Sequence, residues 1–450
     1  MLRFFTPAKR LYFPTSYSTS IMEKVQQYPI CGFVPPYILS AIADSTVAGS
    51  DPVAEDSRVA CQHTLQHGRS HADQRRELCA RTQVSLPDAE RGFTPRYILG
   101  AIADSIETHA ERHQALQQTL VPAGATVPAS VQRTIYDCRE TEDLPGTLAR
   151  SEGQGRIKDR QVNNVYDGFQ ITHDFFAKIF GRNSLDDSGL PLIGSVHFKL
   201  KTTPNGYNNA YWDGNEKRMV FGDGDHITFD FLTDSLDVIA HELSHGFVQF
   251  SSPLDYYSQS GALNESCADI FGSMAEQWWM HQSVEDADWN LGQTLFPVAF
   301  TGSALRTFKA GKAYTDDRIF GTDPQPKHMR DLYEGTEDGQ GVHINSGIPN
   351  HAFYLAAKSL GGNSWEKAGK VWYQTMTSGR IPSDCDFKTF AEVTVDIAGK
   401  EFVDKTVQTA IRDAWTKVGV LTSKPVVVLT RKPVVNCMIG QFSGSIGREG

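Results

Sequence analysis

The 450-residue sequence predicts an α+β fold in two lobes, β-rich over 131–235 and mainly helical over 236–421. Three observations predict it. Between 131 and 235 short strand-like stretches alternate with turns: "GSVHFKL" (194–200) is one, and "AYWDGNEKRMVFGDGD" (210–225) reads as a hairpin. After 235 the apolar residues recur at i, i+3 and i+4, as in "WEKAGKVWYQTMTSG" (365–379), "FKTFAEVTVDIAGKEF" (387–402) and "KTVQTAIRDAWTKVGV" (405–420). At the junction, "VIAHELSHGFVQF" (238–250) is an apolar helix carrying two histidines and a glutamate; it would join the lobes at the base of a cleft, a common place for ligand sites.

The junction helix carries the chemistry. His241 and His245 are four residues apart, so on a helix their rings lie on one face and reach one metal ion. Glu242 is one step round and leans over the same ion without ligating it. H-E-x-x-H on a helix is the zinc-hydrolase pattern, with the glutamate as general base; the bland reading is an amphipathic helix with polar surface histidines. A catalytic zinc wants three protein ligands and an open position. Glu265, in "GALNESCADIFG" (261–272), supplies the third ligand. Asp269 follows one turn later, where a carboxylate can orient a ligating imidazole. Both acids sit in an apolar frame, where uncompensated charge is costly.

With H-E-L-S-H followed by a glutamate in N-E-x-x-x-D, the chain resembles the thermolysin-like zinc endopeptidases, and within them the protealysin-like branch. "NNAYWDG" (208–214), "GSALR" (302–306), "EDGQGVHINSGIPN" (337–350) and "GRNSLDDSGLPLIGSVHF" (181–198) fall in the same order, and the likeness runs from about 131 to about 420. The resemblance implies a two-lobed thermolysin-like fold with one Zn²⁺ per chain on His241, His245 and Glu265. It makes Glu242 the general base, and Tyr256 and His343 the groups that bind the oxyanion, with Asp338 orienting His343. Asn209 and Ala210 would bind substrate backbone and Arg306 a substrate carbonyl. Phe229, Val238, Leu291 and Leu305 would line the pocket after the scissile bond, giving cleavage before Leu, Phe, Ile or Val. Asp237, Glu276 and Asp288 match a calcium site. Asn290, Gln293 and Thr294 stand where double-site members carry further acids, so the expectation is one Ca²⁺ at most.

Composition is that of a soluble globular chain, 40% hydrophobic and 21% charged, long enough for more than one core. The net charge of −10, with scattered basic residues, argues against a nucleic-acid partner. No apolar run approaches the ~20 residues of a membrane helix. The seven cysteines are odd in number and lack metal-ligand spacing, so they do not form a disulfide framework, and Cys267 reads as a small buried apolar residue.

Residues 1–22 lack acids and carry Arg3, Lys9 and Arg10 without the sustained apolar core of a secretory signal; a mitochondrial transit peptide and a start at Met22 are the two readings. The 23–120 region holds a repeat, "GFVPPYILSAIAD" (32–44) and "GFTPRYILGAIAD" (92–104). It resembles the short propeptide of protealysin-like precursors, which covers the cleft, here apparently duplicated; which copy would bind the cleft stays open. Residues 121–130 read as an exposed linker, so the mature enzyme is expected to begin near Val131. Residues 422–450 fit nothing in the family.

The expected function is therefore a zinc endopeptidase made as a zymogen. It would be monomeric, act on peptides and proteins, and be inhibited by its own propeptide. Secretion is implied by the resemblance, with cytoplasmic or mitochondrial placement as the alternative. The other classes are a catalytically silent zinc-fold binding protein, against which the intact Glu242, Tyr256 and His343 argue, and an intracellular peptidase.

Overall fold

The computed structural model describes residues 32–44, 55–68, 130–202, 206–296 and 300–422. The leader, the second repeat copy (92–104), nearly all of the linker and the tail after 422 lie outside them. Helix α1 is Pro36–Ala43 and α2 spans 55–68. The first lobe holds β1 (Arg133–Thr141), β2 (Thr147–Ser151), α3 (Arg160–Phe180), β3 (Leu192–Phe198), β4 (Ala210–Asp213) and β5 (Arg218–Gly222). The second holds α4 (Leu236–Ser251), α5 (Ser258–Trp279), the short strands β6 (Asn290–Leu291) and β7 (Arg306–Thr307), and helices α6 (Asp338–Asn345), α7 (Gly347–Leu360), α8 (Ala368–Thr377), α9 (Phe387–Glu401) and α10 (Lys405–Lys417).

The five-stranded sheet runs in the order β2-β1-β3-β5-β4. It is mixed: β1–β3 and β3–β5 are parallel, while β1–β2 and β4–β5 are antiparallel. The predicted hairpin is β4–β5, paired Ala210 to Phe221 through Asp213 to Arg218. It leaves β4 as an edge strand, whose outward groups are open to another chain.

A reading of 131–235 as strands and turns alone misses α3. That helix is legible in hindsight. Asp159 caps it by accepting from the Gln161 and Val162 N–H groups, and Gly181 ends it in a left-handed conformation. Val162, Val165, Phe169 and Phe176 form its buried stripe. Their aromatic and β-branched character suits strands as well as helices, so the period has to decide. The stripe packs on the sheet face at Gly194, where an added Cβ would meet Val165 and Phe169.

Helices α4 and α5 pack along each other and form the floor of the cleft. Gly272 permits their closest approach: a Cβ there would lie 2.9 Å from Asp237 O and 3.0 Å from His241 N. A larger residue would push α5, and Glu265 with it, away from the α4 histidines.

Within β3, His197 sits between two carboxylates. Its Nδ1 is 2.7 Å from Asp223 Oδ2 and its Nε2 2.9 Å from Asp159 Oδ2. Burial disfavours the charged ring, but the two carboxylates outweigh it and hold the imidazolium up to about 9. Since the folded value is raised above the unfolded one near ~6.5, the stabilisation is complete below that pH and disappears as pH rises through about 9. His197→Ala should therefore destabilise the fold by roughly 1–3 kcal/mol at pH 6 and by much less at pH 10. Denaturant melts of both proteins at the two pH values check this, and an equal loss at both contradicts it.

Candidate metal centre and cleft

His241 and His245 project from α4 toward Glu265 on α5. The two Nε2 atoms are 3.1 Å apart. Glu265 Oε2 lies 3.5 Å from His241 Nε2, and Oε1 lies 3.4 Å from His245 Nε2. Among the described residues this is the one group of ligand-type side chains gathered within 4.8 Å, and all three are buried.

The donor set fits a metal ion. His245 Nδ1–H donates to Asn264 Oδ1 at 2.8 Å, and His241 Nδ1 lies 2.8 Å from Asp269 Oδ1. Both protons are thus drawn to the Nδ1 atoms, and two bare Nε2 lone pairs face each other. That arrangement is repulsive without a cation between them. Ligands on a tetrahedral zinc with bonds of about 2.0–2.1 Å stand roughly 3.3 Å apart, which is the spacing found here. Glu265 Oε2 is buried without a hydrogen-bond partner. Burial would raise the Glu265 carboxyl, but His343, His245, His241 and Arg306 hold it down at about 2, ionised and able to ligate.

Around this triad the expected residues converge. Glu242 is fully buried on the α4 face below β4, and its Oε2 accepts the Trp212 N–H at 2.9 Å. Tyr256 Oη donates to Glu265 Oε1 and lies 3.4 Å from His343 Nε2. Before His343 the chain passes through four consecutive residues at positive φ, Asp338 to Gly341. That turn folds the Asp338 carboxylate back onto His343, 2.7 Å from its Nδ1 and accepting its backbone N–H at 2.8 Å. Burial disfavours the charged His343 ring; Glu265 and Asp338 more than offset this and raise it. Asp269 Oδ1 also accepts Arg306 Nη2 at 2.8 Å, and Asn350 Nδ2 donates to its Oδ2 at 2.8 Å. Burial would raise Asp269, yet Arg306 and His241 hold it near 2.

The cleft above holds the first repeat copy. Phe33 N–H donates to Ala210 O at 3.1 Å, and Val34 N–H to Asn209 Oδ1 at 2.9 Å. Asn209 Nδ2 donates to Val34 O at 3.1 Å, and Arg306 Nη1 to Phe33 O at 2.8 Å. His343 Nε2 donates to Gly32 O at 3.1 Å. The Phe33 ring stands edge-on to His241, centroids 5.0 Å apart, with the Arg306 guanidinium 4.3 Å over it. Phe229, Val238, Leu291 and Leu305 are fully buried in the same apolar cluster as Phe33. Helix α2 fastens the segment further along: Ser57 Oγ donates to Asp225 Oδ2 at 2.5 Å, and His67 Nδ1 is 3.2 Å from Tyr207 Oη.

The calcium acids are less gathered. Asp237 accepts from Ser235 Oγ and from the N–H groups of Val238 and Gly292, and so ties α4 to β6. Burial and the charges of Asp237 and Asp288 push Glu276 up to about 9, so the three acids feel one another, but their oxygens do not form a cluster within 4.8 Å.

The sequence alone does not point to Asn264 or Gly292. Asn264 stands in the quoted "NESCAD", but nothing in linear spacing aims it at a histidine nineteen residues back. Gly292, with φ +67, walls the Phe33 ring: a Cβ there would lie 2.9 Å from Phe33 Cε1 and 3.2 Å from Leu305 Cβ.

Two family descriptions match the chain: the catalytic domain of thermolysin metallopeptidases over residues 125–249, and their alpha-helical domain over 252–420. An extracellular metalloprotease of Pectobacterium carotovorum subsp. carotovorum is 41% identical over 87% of this chain and 97% of its own length. Protease PrtS of a Photorhabdus strain is 45% identical over 65% of this chain and 78% of its own length. Among solved structures, the precursor of protealysin, a metalloproteinase from Serratia proteamaculans, matches with a TM-score of 0.63 and 43% identity, over 74% of this chain and all of its own. These matches lend no support to a doubled propeptide.

Asn264→Ala leaves the three metal-facing groups in place and removes the acceptor that orients His245. It should weaken metal affinity by about 10–100-fold, read by competition with a chromogenic chelator. Unchanged affinity would show that Asn264 has no such role.

Proposed function

We propose how this chain works from the premise that it belongs to the thermolysin family of metallopeptidases and is a zinc metalloendopeptidase made with a propeptide. His241, His245 and Glu265 would hold the zinc. When bound, the ion supplies a water acidified toward ~7 and polarises the substrate carbonyl. Glu242, held against β4 by the Trp212 N–H, takes the proton of the attacking water and delivers it to the leaving amine. Tyr256 and His343 donate to the carbonyl oxygen as it becomes an oxyanion. Asp338 accepts from His343 Nδ1–H and favours the doubly protonated ring, so that Nε2–H also faces the substrate as a donor. Arg306, Asn209 and Ala210 hold the backbone after the scissile bond.

The observation that carries this reading is the occupied cleft. Gly32, Phe33 and Val34 are held, backbone atom by backbone atom, by the groups assigned to substrate binding. Phe33 then marks the pocket after the scissile bond, and its apolar wall selects Leu, Phe, Ile or Val there. The same contacts make residues 32–44 and 55–68 an intramolecular inhibitor of a monomeric enzyme acting on peptides and proteins.

Glu242→Gln should keep its zinc and lose activity by about 10²–10⁴-fold. Metal analysis beside a peptide assay checks this, and normal turnover sinks the assignment. In a mixed peptide library, a chain beginning near Val131 should cut before large apolar residues and stop when a zinc chelator is added. Cuts dominated by charged residues at that position would refute the pocket.

The reading extends to one Ca²⁺ at Asp237, Glu276 and Asp288. Burial and the charges of Asp237 and Asp288 raise the Glu276 carboxyl to about 9, a repulsion that a shared cation would relieve. Added Ca²⁺ should raise the melting temperature, and an Asp288→Asn chain should not respond; no shift in the parent chain removes this part. Following relatives named as extracellular, we place the mature enzyme outside the cell. N-terminal sequencing of native protein from medium and from cells decides between this and an internal compartment.

A further inference from the structure

The segment in the cleft holds Gly32 in a backbone conformation that an ordinary substrate residue rarely adopts. Phe33 and Val34 lie against the β4 edge with all their backbone groups engaged, by Ala210 O, the Asn209 amide and Arg306, before the chain enters α1 at Pro36. At Gly32 the backbone turns to φ +75, a conformation that L side chains rarely adopt. Space forbids a side chain there as well. A Cβ on Gly32 would lie 2.2 Å from Ala210 O, 2.6 Å from Asn209 Oδ1 and 2.8 Å from Asn209 Cγ. Two of these atoms are the acceptors of the Phe33 and Val34 N–H groups. The methyl group of an alanine would therefore displace the contacts that seat the next two residues. Ala210 O cannot yield as a flexible side chain would, because it belongs to the backbone of a strand paired with β5.

We infer that Gly32 is the residue that sets the inhibitory segment apart from a substrate: the segment binds the cleft through a backbone turn open to glycine alone. An L-residue preceding a scissile bond cannot copy this turn, so the cleft tells its own propeptide from incoming chains at that position. The second repeat copy keeps glycine at the matching place, Gly92, while changing Val34 to Thr94, Pro36 to Arg96 and Ser40 to Gly100. The inference rests on the reading of the first repeat copy (32–44) as a propeptide segment seated in the cleft.

The test is amide hydrogen exchange on full-length chains carrying Glu242→Gln, which prevents self-digestion. Three are compared: the parent, Gly32→Ala, and Gly155→Ala at a glycine with no atom near its Cβ position. Exchange of the α4 and α5 amides reports that each chain is folded. We expect protected Phe33 and Val34 amides in the parent and in Gly155→Ala, and exchange at least about tenfold faster in Gly32→Ala. Equal protection in Gly32→Ala and the parent overturns the role of Gly32 and leaves the propeptide reading standing. A folded parent whose Phe33 and Val34 amides are already unprotected overturns the propeptide reading itself.

Discussion

Two bare imidazole nitrogens 3.1 Å apart, with a carboxylate oxygen within about 3.5 Å of each, form the constraint on which the rest of this structure depends. Such a group is unfavourable in a buried site unless a cation is shared among its members. Everything around it serves to keep that arrangement. Gly272 lets α5 come close enough to α4 for Glu265 to meet the histidines. Asn264 and Asp269 fix the Nδ1 protons, and Asp269 also holds Arg306, so a metal-facing imidazole and a peptide-binding guanidinium share one carboxylate. A change at Asp269 would be felt in both functions.

The inhibitory segment is part of the fold as well as a cover for the site. Phe33, Val34, Ile38, Leu39 and Ile42 are buried in the same apolar cluster as α3, α4 and α5. Each such side chain withdrawn from water contributes roughly 1.5–3 kcal/mol. The polar contacts of α2 with Asp225 and Tyr207 lie well away from the metal-facing groups along the chain. The propeptide thus has a specific anchor in the cleft and a second one on the sheet lobe, and release must undo both.

The sequence made the metal centre legible because its parts are local. A spacing of four on one helix places two histidines on one face, and N-E-x-x-x-D spaces a ligand and an orienting acid along another. The hairpin and the late helices were legible from period alone. What escaped were features set by tertiary contact. The buried stripe of helix α3 consists of β-branched and aromatic residues whose type suits a strand. Asn264 gains its role only when α5 lies beside α4. The seating of the first repeat copy could not be told from the second, since both carry Gly-Phe at the decisive positions. Asp237, Glu276 and Asp288 matched a calcium pattern, yet Asp237 is engaged by three protein donors.

The central claim is that one metal ion and one segment of this chain meet in the cleft. The most direct measurement is a crystal structure of the full-length Glu242→Gln protein with anomalous data collected across the zinc absorption edge. The account predicts a single strong anomalous peak bonded to His241 Nε2, His245 Nε2 and Glu265, with the Phe33 ring beneath Arg306. A well-ordered site with no such peak, or a peak there beside a cleft empty of residues 32–34, would contradict it.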